Sequence, residues 1–346
     1  MPRHSSTPDQ ARATGAGARS RTQGRAQGRK HPRKTQATRG KRPPGRAAYR
    51  RALRREAPTV VGLLLDQQDF DAMTRYPSFP FHDYGLYLHH LDGLLRSLHA
   101  QGTSIAVTPF HPDGFASHCA ATAERPDTPR ARIRYTAEAG AAGPTLHYAR
   151  QPLALLRARL AHETDRRATF DQAADLLAAA GPCPEAGCDK PFAHCAFDGA
   201  AHTLMHLAEA AGPGAHHIVC SVPTDTGGGN LLASAHLTAA PDGEVRLPDS
   251  DGIMLCTVMA AAALAPRPGG LVLRTTDDTG RDTVRGWSLL PDGPHPLSEA
   301  EVFDAYCTDP DTGQPVPPES GVHYRAGFPL PPPPPPPPAD GGPGHR

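Results

Sequence analysis

Asparagine occurs once in these 346 residues, tryptophan once, and isoleucine and lysine four times each. Asparagine, isoleucine and lysine have AT-rich codons, and arginine outnumbers lysine 32 to 4. Part of the Ala, Arg, Gly and Pro excess therefore reflects GC-rich coding rather than function. Long hydrophobic runs are missing too. The longest, Ile253–Ala265, holds 13 residues with Thr257 inside it. A bilayer needs about 20, so no membrane partner is expected. The basic N-terminus is not followed by an apolar h-region, which argues against a secretory signal; an Arg-rich transit peptide is the alternative. Seven cysteines, an odd number without a secretion signal, point to reduced thiols and a cytoplasmic setting. Strong catalytic motifs are also lacking. There is no G-x-S-x-G, no H-E-x-x-H and no dinucleotide fingerprint, and Thr226–Asn230 is Gly-rich without the lysine of a P-loop.

Charge is unevenly placed. Of 36 Lys and Arg, 17 lie in residues 1–55 against a single acid, Asp9; the other 19 face 34 acids. The arm has few large apolar side chains, too few to offset its ordering entropy, so 1–55 is expected to be disordered. A polycation of this kind suits nucleic-acid phosphates, bound without sequence preference and with strong salt dependence. At the other end, Pro331–Pro338 is an octaproline, an extended polyproline II rod. The tail 329–346 is read either as a docking segment for a protein partner or as a stiff low-complexity extension.

Between the tails lies a body, 57–328, expected to be mixed α/β. Its subdivision would be 57–212, α/β and helical, and 213–328, β-rich. Val60–Leu65 reads as a buried strand. Asp83 caps a helix whose apolar face is Tyr84, Tyr87, Leu88, Leu91, Leu94, Leu95 and Leu98, ended by Gly102. Ile105–Phe110 is the second strand, so a right-handed parallel βαβ unit is expected. The middle is helical: Asp113–Ala123, then a helix opened by Thr128–Pro129, then 152–180 with a polar stretch, HETDRRAT, as a candidate break. Another runs Cys195–Ala211. From His217 the pattern turns to strands, including HIVCSV, LLASAHL, IMLCTVM, LVLRTT and TVRGWSLL, with Pro-Asp-Gly turns at 241–243 and 291–293. Ser298 and Glu301 form a capping box.

Two constellations carry chemistry. Cys183-x4-Cys188-x6-Cys195-x6-His202, with His206 as a spare, supplies the soft and borderline donors that a structural zinc takes. Its rival reading is a solvent-facing helix stripe with incidental Cys and His. The second is a carboxylate set at strand ends. Asp66, Asp69 and Asp71 follow the first strand, His111 and Asp113 the second, and Asp225 and Asp277–Asp278 follow later ones. Such groups would hold Mg²⁺ or Mn²⁺ for phosphodiester hydrolysis, although Asp is common wherever strands turn into loops. Asp66 with the βαβ pattern is similar to PIN and NYN-type nucleases.

The segments LLLDQQDFDAMTRYPSFPFHDYGLYLHHLDGLLRSLHAQG, CPEAGCDKPFAHCAFD, VRGW and LSEAEVFDAYCTD resemble uncharacterised proteins of Streptomyces-type actinobacteria. That resemblance spans 57–328 and implies no activity. The leading expectation is a non-catalytic or regulatory protein with a nucleic-acid-contacting arm. The alternatives are a metal-dependent phosphoesterase using Asp66, Asp69 and Asp113, and a protein-interaction module.

Overall fold

The computed structural model describes residues 59–331, except 186, 226–228, 278 and 310–311. The basic arm, the octaproline after its first residue, Asp278 and most of the Gly-rich loop lie outside the described residues.

Two sheets organise the chain. The first has strand order β1-β2-β3, with β1 (Thr59–Leu63), β2 (Ile105–Pro109) and β3 (Leu146–His147). β1 and β2 are parallel, as the βαβ reading requires, and β3 is antiparallel to β2. Four helices surround them: α1 (Gln67–Thr74), α2 (Tyr84–Ala100), α3 (Pro112–Thr122) and α4 (Pro129–Ala142). The sequence reading places no helix at Gln67–Thr74. It is a helix because Asp66 caps it, accepting from the Asp69 N–H at 2.8 Å, and because Phe70 and Met73 bury one face. α2 begins at the expected cap, where the Asp83 carboxylate accepts from Leu86 N–H at 2.6 Å. Gly102 follows its end with φ +75°, a conformation that favours glycine.

The second sheet has seven strands. Six follow the order β10-β8-β7-β4-β5-β6, and β9 pairs with β8. They are β4 (Gly214–Val222), β5 (Leu231–Ala239), β6 (Val245–Arg246), β7 (Gly269–Thr276), β8 (Asp282–Leu290), β9 (Gly293–Pro296) and β10 (Val322–Tyr324). All pairings are antiparallel except β10 with β8. Strict alternation along β5 (Leu231, Ala233, Ala235 and Leu237 buried, their neighbours exposed) marks one covered and one open face. The covering layer is α5 (Leu153–Ala179), α6 (Phe192–Ala211) and α7 (Asp249–Ala261). α7 corrects the sequence reading, which takes IMLCTVM as a strand. Its residues Met254–Ala261 are all buried, so no polar stripe reveals the helical period. A short α8 (Glu299–Tyr306) carries the expected capping box at Ser298.

Each sheet has its own core. Leu63, Phe70, Tyr87, Leu95, Ile105 and Phe115 belong to the first; Leu207, Ile218, Leu255, Leu271 and Trp287 belong to the second. α5 serves both. Leu156 and Leu160 pack in the first core, Ala173 and Leu177 in the second. Its polar middle is therefore no break: it is the stretch between two cores, and Arg166 there pairs with Asp251 of α7 at 2.6 Å. Trp287 is sealed by the segment after β10, donating from Nε1 to the Phe328 carbonyl at 2.9 Å. Gly327 permits that approach, since a Cβ there would meet the Gly286 carbonyl at 2.5 Å.

Candidate metal centre

α5 ends at Ala179, and Gly181, at φ +76°, turns the chain into a short closed loop. Pro182 and Pro191 form an isolated antiparallel bridge at its neck. Inside the neck the Cys183 N–H donates to the Lys190 carbonyl at 3.0 Å, and Cys188 N–H to Glu185 at 3.1 Å. Pro191 then opens α6, whose first turn carries Cys195. The loop thus brings its two thiols back onto the start of the helix. The sulfurs of Cys183, Cys188 and Cys195 all lie within 4.8 Å of one another, and those of Cys188 and Cys195 are 3.5 Å apart. Among the described residues no other group of three His, Cys, Asp or Glu ligands converges this closely.

All three thiols are half-buried. A backbone hydrogen bond at Lys190 pulls the Cys188 thiol below its ordinary range, assisted by the two neighbouring thiols. Burial pushes Cys195 up to about 12, with Cys188 and Cys183 adding to the rise. Cys188 is therefore the easier of these two to ionise, and Cys195 resists losing its proton. A divalent cation reverses that balance, since a ligating thiol gives up its proton. Zinc–sulfur bonds of about 2.3 Å in a tetrahedron set sulfurs about 3.8 Å apart, close to the spacing seen here.

His202 stands outside the cluster. It shares a helix face with Cys195, but seven residues of helix carry it about 10 Å along the axis. Its Nε2 lies 3.1 Å from Nε2 of His206, whose Nδ1 pairs with Glu209 at 3.1 Å. His202 Nδ1 is buried with no partner among the described residues. One turn past Cys195 the helix offers Asp198, which pairs with His194 at 3.2 Å, and Gly199, which has no side chain.

A cavity of about 290 Å³ adjoins the cluster. Cys183 and Cys195 line it and Cys188 does not. Its far wall is the end of α7 and the turn between β8 and β9, from Leu289 to Pro294. Nothing in the sequence pairs these segments, so only the fold reveals the cavity. Cys220 and Cys256 lie buried in the second core, as expected of inert thiols.

The carboxylates divide differently. Asp66, Asp69, His111 and Asp113 gather where β1 and β2 end. Half-buried Asp69 is raised above its usual range, first by burial, then by the charge of Asp66 and, more weakly, Asp113; His111 and a backbone hydrogen bond at Leu65 oppose the rise. Asp66 is occupied as a helix cap, and Asp71 accepts from Gln67 at 2.7 Å. Asp225 and Asp277 belong to the other sheet, after β4 and β7, which run antiparallel and so end on opposite edges. They cannot share a site with each other. Asp277 is held below the carboxylate range by hydrogen bonds within its own turn, the Thr279 hydroxyl first.

A family described as a domain of unknown function (DUF8829) matches residues 48–151. That span holds the first sheet and α1–α4 and stops before α5 and the cysteine cluster. No curated protein and no solved structure matches the chain. Among the described residues no helix is long and apolar enough to cross a membrane.

Proposed function

We propose that the protein binds zinc through Cys183, Cys188 and Cys195, and that the metal fixes the 182–191 loop to the first turn of α6. The convergence of three sulfurs within 4.8 Å carries this reading. The donors are soft, the sulfur spacing suits a tetrahedral ion, and the start of a helix favours negative ligands. The centre would be a staple for a loop with few apolar contacts of its own. Elemental analysis of the reduced full chain, purified without a metal-binding tag, tests it. One equivalent of zinc is expected, lost in Cys195→Ser. A folded, reduced chain that takes up no zinc would sink the proposal.

The basic arm gives a second, independent reading. Its 17 cations against one acid favour sequence-blind contact with nucleic acid. Removing residues 1–55 should abolish binding to duplex DNA at low salt; a truncated chain that binds equally well rules it out. The octaproline supports a further proposal, docking to an aromatic groove of a protein partner. Phosphoester hydrolysis through Asp66, Asp69 and Asp113 has the shared end of β1 and β2 in its favour; against it, these groups do not converge within 4.8 Å as the three thiols do. An unchanged hydrolysis rate in Asp69→Asn would remove it.

A further inference from the structure

We infer that the metal at Cys183, Cys188 and Cys195 keeps one coordination position open to the adjoining cavity, and that a small apolar thiol binds there through its sulfur. The inference rests on the zinc reading above. Four observations carry it. First, among the described residues three ligands converge and no fourth joins them. Positions on α6 that reach an ion held by Cys195 lie three or four residues away. They are Pro191, Phe192, Asp198 and Gly199: two without a donor, one paired with His194, one without a side chain. His202 is two turns distant, and Glu185 lies outside the converging set. Zinc sites with three protein ligands and an open fourth position are those that accept an exogenous ligand.

Second, two of the three thiols, Cys183 and Cys195, line the cavity. The open position and the cavity therefore share a wall. Third, the cavity is about 290 Å³, near the lower end of the ~300–1,000 Å³ typical of small-molecule sites. It is walled mainly by Ala, Met, Leu and Pro side chains, and the buried Thr203 adds a hydroxyl. Its exposed acids, Glu185 and Asp292, stand at the solvent side.

Fourth, the donor class follows from charge and solvation. Three thiolates on a divalent ion leave a net negative centre, so a ligand that arrives neutral approaches without repulsion. A carboxylate would also lose its hydration on entering an apolar cavity. A thiol enters neutral and loses little. On binding, its S–H bond breaks and a metal–sulfur bond forms with both electrons from sulfur. The proton leaves to solvent, and no atom changes oxidation state. Soft sulfur then completes a soft ligand set.

The experiment uses the full chain loaded with Co²⁺ under anaerobic conditions, titrated with phenylmethanethiol. Sulfur-to-cobalt charge-transfer absorbance should rise by about one third as three thiolates become four. One proton should be released per thiol bound, read with a pH indicator in weak buffer. Ala263→Leu, which fills the cavity from its far wall, should keep the cobalt and lose the rise. A chain that takes up no cobalt overturns the metal centre and this inference together. Cobalt uptake with a spectrum that the thiol leaves unchanged overturns this inference alone. A rise that persists undiminished in both Ala263→Leu and Ala196→Leu overturns the placement in the cavity.

Discussion

The two cores solve the same packing problem with different side chains. The first is built around rings: Phe70, Phe79, Phe110, Phe115, Tyr87 and Tyr148 are all buried in it. A three-stranded sheet offers little surface, and large rings fill the space between it and the helices. The second has seven strands and uses small residues: Ala200, Ala208, Ala233, Ala235, Ala260 and Ala261 are buried at the helix–sheet contact. Alanines let α7 lie close to β4 and β5. Polar groups differ as well. In the first region the aspartates serve the fold, Asp66 and Asp83 capping helices. In the second, three thiols converge without any duty in the core. Side chains that the fold does not use are where a site is to be sought.

If the cores are separate in energy as they are in space, each can be damaged alone. Leu95→Ala and Leu207→Ala both remove fully buried side chains and should each cost about 2–5 kcal/mol. Trp287 is the only tryptophan and sits in the second core, so its emission reports that core by itself. Urea titrations should show Leu207→Ala shifting the emission transition. Leu95→Ala should shift only part of the far-ultraviolet circular dichroism. Coincident transitions in both variants would unite the cores. Ala168→Pro, inside the bridging stretch of α5, should cost roughly 3 kcal/mol and move both transitions, because the interrupted helix belongs to both.

Weaker perturbations sharpen the contrast. Chelation should lower the emission midpoint and leave the first core untouched. A zinc concentration 100 times the dissociation constant corresponds to about 2.7 kcal/mol of stabilisation. Asp66→Ala should do the opposite: about 1 kcal/mol from the first core, through the lost cap, with zinc content unchanged.

The smallest effect is with acid. Burial holds His216 below the ordinary imidazole value of 6.5, between the Thr275 hydroxyl and the Gly212 carbonyl. Burial, then the charges of His236 and Arg274, holds His217 down too, its ring stacked on His236 at 4.2 Å. As pH falls below 6.5, the unfolded chain takes up protons that the folded second sheet resists, so stability declines from that point downward. The emission midpoint should therefore drop between pH ~7.5 and ~5.5, and less so in His236→Gln. A midpoint that rises with acid would contradict the burial of these rings.

Local signals made much of this legible in the sequence. Asp83 and Gly102 bracket α2 because a cap and a left-handed glycine act within one turn. Ser298 with Glu301 announces α8 in the same way. α7 stayed hidden because burial on every side erases the period that distinguishes helix from strand. At the candidate metal centre, Cys183, Cys188 and Cys195 are legible as a set, whereas His202 shares only a helix face with Cys195. A face ignores rise along the axis, and rise decides which ligands meet. The cavity depends on the turn between β8 and β9, about a hundred residues away, and no local pattern encodes that meeting.

α5 also sets an order of assembly. During synthesis the first core is complete once Leu160 has emerged, while Trp287 is still more than a hundred residues from being made. The first core can close early and hold half of a 27-residue helix in shape. The other half then projects as a preformed template, Ala173 and Leu177 exposed, waiting for strands that arrive later. Until β5 and α7 join, that apolar half-helix stays uncovered, and the polar HETDRRAT stretch separates it from the finished core.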